Sequence, residues 1–529
     1  MLEKMKEKSV LFFTILFITV IFITACSGDT SGVSGTLDQD KDGSNKTDQN
    51  KDNDSDPGST FSPLTLGLTP GNDTTEVRIN WYSDGAATNK TAKARFISLN
   101  EEEELIEATG TVNAASAGKT AHKVEVTGLV PGTSYKYSVS NDGTRWSEMY
   151  DFNVPAVGAF RFAIVSDPQI ITASSKIDPR SRYPHTDTTI VHSWQETMTK
   201  IIASKASFIA CCGDQVSPAN NEACYTSFFS PPGLRSLPFA PIVGNHDGHM
   251  IFKHHFNLPN EQDFDEIPII TQKMGQYFYL YNNVLFVALN TGAVNPGNAA
   301  AAKIFINCYD QILTAAKKTH ENKFDWLIVQ HHKSTAGVAE HCADLDIQYL
   351  VEAGFESIMS KHNVDFVLAG HDHHFSRSYP LSGRDGGLVS VPDKTKDGNE
   401  IINPGDPIYF TISPASGMKY YTISADPYFA YDNVFGVKNN PVYPYLGLDA
   451  NAASTMVGSV LYMQGNLPVS NAKFVQPFIP SYTIVDVDGK TMTIKTYAIG
   501  TAKGRSPGAS KDYDFDEEIP YDEITVTKN

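Results

Sequence analysis

The strongest constraint on the fold is a series of short apolar runs, from Phe162–Val165 to Phe366–Ala369, that lead into polar loops. Runs of Val, Ile, Leu and Phe that alternate with helical segments are typical of buried strands in layered α/β folds. The loops are, in chain order, Asp167-Pro168-Gln169, Gly213-Asp214, Gly244-Asn245-His246-Asp247, His331-His332 and Gly370-His371-Asp372-His373. Because the strand ends of an open sheet carry its ligand-binding loops, we expect these side chains to form one site.

The residue types in these loops indicate the chemistry of that site. Asp, Asn and His are hard or borderline ligands that suit iron, manganese or zinc, and a carboxylate can bridge two cations about 3.5 to 4 Å apart. Each loop alone is a weak signal, but together they supply the donors of one binuclear centre. The sequence therefore predicts two bound metal ions, divalent or of mixed valence.

This ordered set of loops resembles that of the calcineurin-like phosphoesterases, in their purple acid phosphatase branch. The resemblance implies hydrolysis of a small-molecule phosphate ester, in which a metal-bound hydroxide attacks the phosphoryl group directly. Carried over to this chain, it makes Asp214 the bridging ligand, Asp167 and His373 ligands of the first metal, and Asn245, His331 and His371 ligands of the second.

The choice of His331 over His332 comes from aligning the chain with the family's His-x-Pro loop, where Lys333 replaces the proline. On that alignment His332 is a solvated or orienting neighbour. It remains the alternative ligand.

The resemblance also implies the catalytic residues. His246 faces the substrate and assists departure of the leaving oxygen, and Asp247 orients the His246 ring as an outer carboxylate does. No G-x-S-x-G elbow or P-loop is present to support a serine nucleophile or a nucleotide-binding loop.

Two positions depart from the family pattern. The first motif usually ends in His, but Gln169 stands there, and its amide oxygen is a weaker metal ligand or leaves the position to water. Purple acid phosphatases place a tyrosine three residues after the bridging aspartate, where this chain has Ser217. We therefore expect no purple colour and no requirement for ferric iron.

Residues 61–155 show short alternating strands between turns, which predicts a β-sandwich. Leu129–Tyr135 resembles the tyrosine corner of fibronectin type III domains, and Trp81 stands where such domains bury a tryptophan. The predicted fold is thus of the α+β and α/β classes: a fibronectin III-like sandwich, followed over 156–529 by a four-layer αββα phosphoesterase domain. Within that domain, 427–480 is predicted to be an insertion, either a lid or a packed excursion.

The chain begins with Lys4, Lys6 and Lys8 and continues into an apolar run, Val10–Ile23. The run is shorter than the roughly 20 residues that span a bilayer, which favours a signal peptide over the alternative of a transmembrane helix. Ile23-Thr24-Ala25-Cys26 resembles a bacterial lipobox. That resemblance implies a signal peptide over 1–25, lipidation of Cys26 and attachment to the outer face of a bacterial membrane.

Residues 26–60 are almost without apolar side chains and are predicted to be a disordered acidic tether. The net charge of −18 argues against binding to nucleic-acid phosphates. The remaining cysteines are too sparse for a disulfide framework, although Cys211 or Cys212 paired with Cys224 is an open alternative.

Two other functions stay open at this point. Phosphodiesterase or nucleotidase activity uses the same kind of site as phosphomonoesterase activity, and the motifs do not distinguish them. A surface-binding lipoprotein that has kept the fold but lost catalysis is the alternative from another class.

Substitution Cys26→Ser tests the predicted membrane attachment. Without the thiol no diacylglyceryl group can be added, so the full-length protein should move from the membrane fraction to the soluble fraction. Continued attachment of the variant to membranes would favour the transmembrane interpretation of Val10–Ile23.

Overall fold

The computed structural model describes residues 60–100, 104–172, 187–262, 275–295, 299–383, 391–421, 471–501 and 514–529, apart from Lys394, Asp397, Met418, Gln476 and Phe478. The predicted signal peptide, nearly all of the tether and most of the predicted insertion lie outside the described residues. All described residues fall within the unit Pro57–Asn529. None of the helices in this part of the chain has the length and apolar character needed to cross a bilayer.

The N-terminal strands are β1 Leu64–Pro70, β2 Val77–Asp84, β3 Lys93–Ser98, β4 Leu105–Thr109, β5 Thr111–Ala114, β6 Lys119–Val126, β7 Ser134–Ser140 and β8 Tyr150–Asn153. They form two antiparallel sheets, with the orders β1-β2-β6-β5 and β4-β3-β7-β8. Alternate residues of β3 are buried, as expected for a strand with one face on a core. The predicted β-sandwich is confirmed.

Two aromatic residues of the sandwich make the contacts that the sequence predicts. The hydroxyl of Tyr135 accepts a hydrogen bond from the backbone N–H of Val130 (3.0 Å), which is the contact of a tyrosine corner. Trp81 is fully buried, and its ring stacks on His122 with 4.9 Å between centroids. Both belong to the core of the domain.

The second domain contains two larger sheets and six described helices. Its helices are α1 Asp187–Ala203, α2 Glu222–Phe228, α3 His249–His255, α4 Ala299–Thr319, α5 Leu345–Ala353 and α6 Phe355–Lys361. Its strands are β9 Phe160–Val165, β10 Ile209–Cys211, β11 Phe239–Ala240, β12 Tyr277–Tyr281, β13 Val284–Leu289, β14 Trp326–Lys333, β15 Phe366–Gly370, β16 Phe375–Ser382, β17 Val391–Pro392, β18 Glu400–Ile402, β19 Ile408–Thr411, β20 Asn471–Val475, β21 Ser481–Asp488, β22 Thr491–Thr501 and β23 Asp514–Thr527.

The first sheet has the order β11-β10-β9-β21-β22-β23-β18, and the second has the order β12-β13-β14-β15-β19-β16-β17, with β20 beside β16. Phe286 of β13 lies between the sheets, where its ring meets Phe162 and Phe208 edge to face, with 5.3 Å between centroids in both pairs. Its neighbours Leu285 and Val287 belong to the cluster formed with α4 to α6. On the first sheet, the ring of Trp194 of α1 meets that of Phe239 of β11 edge to face, with 6.4 Å between centroids. These contacts give the predicted order of helix, sheet, sheet and helix.

The strands that precede the polar loops are parallel within each sheet. In the first sheet β9, β10 and β11 run parallel, and in the second β13, β14, β15 and β19 do so. A parallel bridge between Ser166 and Pro414 joins the two sheets beyond the ends of β9 and β19. The carboxyl ends of both sheets therefore meet at one edge, which is where the predicted site residues follow.

The C-terminal hairpin extends the first sheet beyond β9, because β21 pairs antiparallel with both β9 and β22. Its loop is Gly489-Lys490, because Asp488 pairs with Thr491. The described end of the predicted insertion forms β20 and pairs with β16. Cys211, Cys212 and Cys224 are buried free thiols, which excludes the disulfide alternative.

A buried ion pair joins the two sheets and yields a test of the packing. Arg377 of β16 donates from Nε to Asp522 Oδ2 (2.8 Å) and from Nη2 to Oδ1 (3.1 Å) of the same residue, on β23. Arg377→Met leaves a buried carboxylate without its partner and should lower the free energy of unfolding by about 3 to 5 kcal/mol. Urea denaturation measures this loss.

The matched variant removes both charges. Arg377→Met combined with Asp522→Leu should recover most of the lost stability, because no unpaired charge remains between the sheets. A single variant no less stable than the double variant would contradict the role given to this pair.

Candidate active site

Asp167 and His373 bring two acceptor atoms together beyond β9 and β15. Asp167 Oδ2 accepts hydrogen bonds from the Ser166 hydroxyl (2.5 Å) and from the backbone N–H of His371 (3.0 Å). Its Oδ1 is buried, accepts no hydrogen bond from the residues that the structure describes, and lies 3.3 Å from His373 Nε2. Nδ1 of His373 is bonded to the carbonyl oxygen of Lys419 (2.8 Å), so Nδ1 carries the proton of a neutral ring and Nε2 presents a lone pair.

A second cluster of acceptors surrounds His332. Its Nδ1 is bonded to the carbonyl oxygen of Cys212 (2.7 Å), which again leaves the lone pair of a neutral ring on Nε2. That atom lies 2.9 Å from Asn245 Oδ1 and 3.3 Å from Asp214 Oδ2. Burial favours the neutral ring, but the Asp214 carboxylate outweighs it and raises the pKa of His332 to about 9. The cluster thus requires a positive charge, either a proton or a metal ion.

The separations between these donor atoms fit metal binding. Two ligand atoms that are each about 2.1 Å from one cation lie roughly 3 to 3.4 Å apart at tetrahedral or octahedral angles. Asp167, Asp214 and His332 each offer one ligand atom within 4.8 Å of the others. His371 adds a buried Nε2 without a hydrogen-bond partner in the described part of the chain, and its ring lies 5.0 Å from that of His332. The residues present therefore fit a centre for two cations.

The prediction that His331 is a ligand is wrong in this structure, because its neighbour His332 occupies the site. Successive side chains of a strand point to opposite faces. On β14, Gln330 and His332 point between the sheets, whereas His331 packs on Phe355 of α6 with 4.7 Å between ring centroids. Burial lowers the pKa of His331 to about 3, so this ring is neutral and lies in the core beside the helices.

Asp214 lies at the centre of the site, fully buried. Its Oδ1 accepts the backbone N–H of His246 (2.8 Å), and its Oδ2 accepts the side-chain amide N–H of Gln169 (2.8 Å). The amide oxygen of Gln169 is buried and has no hydrogen-bond partner among the described residues. Gln169 thus supports the carboxylate that is predicted to bridge the metals and presents an oxygen that is available as a ligand.

The backbone around the site is strained. Positive φ angles occur at Asp167 (47°), Gln169 (41°), Asp214 (52°), His371 (69°) and His373 (47°). Each such residue costs of order 1 to 3 kcal/mol, and strain of this kind is found at ligand-binding and catalytic sites. The loops are therefore held in a shape that serves the site.

Two glycines allow the loops to approach these carboxylates. A Cβ atom on Gly244 would lie 2.0 Å from Asp214 Oδ1, and one on Gly370 would lie 1.9 Å from Ser166 Oγ and 2.5 Å from Asp167 Oδ2. Neither position has room for a side chain.

His246 and Asp247 differ in what they contact. Nδ1 of His246 is bonded to the hydroxyl of Ser217 (3.0 Å), and the half-buried ring stands beside Asp214. Asp247 was predicted to orient this ring, but its Oδ1 accepts the backbone N–H of Gln215 (3.0 Å) and its Oδ2 that of Gly244 (2.8 Å). Burial, with help from Asp214, raises the pKa of Asp247 to about 8. Asp247 therefore joins two loops, and Ser217 is the residue that contacts His246.

Sequence reasoning missed His341. Its ring stacks on His371 with 4.5 Å between centroids, and its Nδ1 is bonded to Asp344 Oδ2 (2.6 Å). Asp372 places this histidine, because its carboxylate accepts the backbone N–H groups of Ala339 and His341 (2.7 Å each). No apolar run precedes His341, so the rule that identified the other loops does not find it.

Comparison with known proteins identifies two regions of the chain that match family models. Residues 63–154 match the model of the purple acid phosphatase N-terminal domain, and residues 160–375 match that of the calcineurin-like phosphoesterases. Two uncharacterised proteins of Mycobacterium tuberculosis, strains CDC 1551 / Oshkosh and H37Rv, are 22% identical to this chain over 182 residues. That alignment covers 32% of this chain, and the chain spans only 33% of the length of these curated relatives.

Two solved structures share the fold across most of the chain. A purple acid phosphatase from yellow lupin (Lupinus luteus) seeds superposes with a TM-score of 0.57 at 12% identity, over 88% of this chain and 75% of the lupin chain. PhoD superposes with a TM-score of 0.53 at 13% identity, over 89% of this chain and 92% of its own. The chain therefore carries a purple acid phosphatase N-terminal domain followed by a calcineurin-like phosphoesterase domain.

Proposed function

We propose that this protein hydrolyses small-molecule phosphate esters, as a phosphomonoesterase, at a centre of two metal ions bridged by Asp214. The observation that carries the proposal is two pairs of facing acceptor atoms, one of which includes that carboxylate. His373 Nε2 faces Asp167 Oδ1, and His332 Nε2 faces Asp214 Oδ2, at 3.3 Å in both cases. Lone pairs at this distance repel unless a proton or a metal ion lies between them.

The proposed ligands divide between two ions. Asp167, His373 and Asp214 would hold the first, and Asp214, Asn245, His332 and His371 the second, with Gln169 beside the bridge. Iron, manganese and zinc suit such oxygen and imidazole donors. Bound there, two ions would neutralise charge on the phosphoryl oxygens and would lower the pKa of a bound water molecule.

The chain's own groups provide the rest of the chemistry. Because Ser217 binds Nδ1 of His246, Nε2 is the ring atom left for the substrate, and we assign it to hold a proton for the leaving oxygen. His341 adds an imidazole beside His371, outside the proposed ligand set, that is suited to bind a phosphoryl oxygen. Neither role requires a covalent intermediate on the protein.

We also propose that this reaction takes place at the outer face of a bacterial membrane. The proposal rests on the basic residues, the apolar run and the lipobox-like Ile23-Thr24-Ala25-Cys26 at the start of the chain. A lipidated Cys26 would then attach the enzyme to the bilayer.

A comparison of two neighbouring histidines tests the metal site. His332→Leu removes a proposed ligand, so the purified variant should lose one of its two metal ions and its turnover should fall at least about hundredfold. Elemental analysis by mass spectrometry and phosphate release measure the two effects.

His331→Leu is the matched control, because it makes the same substitution one residue away, in an apolar environment. Both ring nitrogens of His331 are buried without hydrogen-bond partners in the described part of the chain, so an apolar side chain should preserve metal content and turnover. Loss of metal in His331→Leu with retention in His332→Leu would restore the original alignment.

Phosphate release from an aryl phosphate monoester and from the corresponding diester tests the reaction itself. Protein lacking residues 1–60 should hydrolyse the monoester faster when loaded with manganese, zinc or iron, and a chelator should abolish turnover. A faster rate on the diester would indicate a phosphodiesterase or nucleotidase. Folded, metal-loaded protein without turnover on either ester would favour the surface-binding alternative.

A further inference from the structure

Helix α3 leads directly from the loop that carries His246 to the surface of the sandwich. Lys123 of β6 donates from Nζ to the carbonyl oxygens of Lys253 (2.6 Å) and Phe256 (2.5 Å), at the end of this helix. The last carbonyls of a helix have no partner within it, and a lysine there also opposes the helix dipole. The sandwich therefore supplies a C-terminal cap of α3.

An aromatic stack extends this contact to α2. The ring of His255 lies between Tyr82 of the sandwich, at 4.2 Å, and Tyr225 of α2, at 4.4 Å. His255 Nε2 is bonded to Glu222 Oε2 (2.7 Å), and the hydroxyl of Tyr82 donates to Glu222 Oε1 (3.3 Å). One tyrosine of the sandwich thus contacts α3 through its ring and α2 through its hydroxyl.

The chain just beyond α3 is held by side chains and a backbone group of the same sheet. Asn257 donates from Nδ2 to the carbonyl oxygen of Val124 (3.1 Å), and its own carbonyl oxygen accepts the hydroxyl proton of Thr69 (2.5 Å). Arg78 reaches the carbonyl oxygen of Leu258 (3.3 Å). The end of α3 is therefore fixed by side chains and backbone groups from three strands of the sandwich.

Both helices begin on the side of the site. Ser217, on the loop before α2, is bonded to the His246 ring, and Gly248 lies so close to Ala219 that a Cβ atom would be 2.2 Å from its carbonyl oxygen. Helix α3 has seven residues and is therefore about 10 Å long. A movement at its far end is carried to the loop of His246 through one short, rigid element.

We propose that the sandwich positions His246, with Tyr82 and Lys123 as positioning residues that fix the start of α2 and the end of α3. The helices in turn fix His246 and Ser217 relative to Asp214. This inference rests on the proposed function, because it assigns the sandwich a part in placing a catalytic group. A displacement of about 1 Å at such a group lowers a rate by as much as about hundredfold.

Variants of the sandwich test the proposal. Tyr82→Ala and Lys123→Ala should each lower kcat by about ten- to hundredfold, with KM and bound metal unchanged, because only the placement of His246 is disturbed. Tyr82→Phe keeps the stack and should restore most of the rate. Lys136→Ala, at an exposed ion pair with Asp151 on the other sheet, is the matched control and should match the unmodified protein.

A second background separates positioning from a general loss of structure. In His246→Ala protein, adding Tyr82→Ala should lower kcat by less than about twofold, because the group it positions is already absent. An equal fold-loss with and without His246 would overturn the proposal.

Hydrogen exchange gives a readout that does not depend on turnover. Lys123→Ala and Tyr82→Ala should each speed amide exchange in residues 244–248, whereas Lys136→Ala should not. Unchanged exchange in 244–248 in both variants would overturn the proposal. If Tyr82→Ala does not fold, unchanged exchange in Lys123→Ala would overturn it. Absence of turnover in the unmodified protein would instead count against the proposed function and leave the exchange result to decide this inference.

Discussion

The excess of hydrogen-bond acceptors around Asp214 is the constraint on which the rest of the site depends. His332 and His373 each use Nδ1 to bind a backbone carbonyl, so the remaining lone pairs point at carboxylate oxygens. Burying such an arrangement without a compensating charge is costly. A fold that maintains this arrangement is suited to bind cations. The tautomers of the two rings are set by the carbonyl oxygens of Cys212 and Lys419.

That arrangement requires a rigid support. The loops that carry the ligands include strained residues with positive φ, and the chain cannot relax them without moving the donors apart. The aromatic contacts of Phe286 with Phe162 and Phe208 hold the two sheets together beneath these loops. The shape of the loops, the alternation of side chains along the strands and the packing between the sheets therefore hold the donor atoms in place together. The sandwich adds support through its contacts with α3.

Much of this could be predicted from the sequence, because it depends on local pattern. The apolar runs and the polar loops after them placed Asp167, Asp214 and His373 at one edge of the sheets, and the spacing around Tyr135 predicted the tyrosine corner. Such features follow from strand periodicity and turn chemistry, which neighbouring residues determine.

The errors arose where the outcome depends on distant residues. The faces of β14 are set by its pairing with β13 and β15, so adjacent histidines could not be told apart from sequence, and His332 rather than His331 enters the site. The role of Asp247 depends on the backbone of a loop from another strand, and that of His341 depends on Asp372. No local motif reports contacts of this kind.

Crystallography of manganese-loaded protein, with anomalous scattering recorded near the manganese edge, tests the central claim most directly. The account predicts two anomalous peaks about 3.5 to 4 Å apart, both in contact with Asp214, one beside Asp167 and His373 and the other beside His332. No ordered peak in this position, or a single peak beside His331, would contradict it.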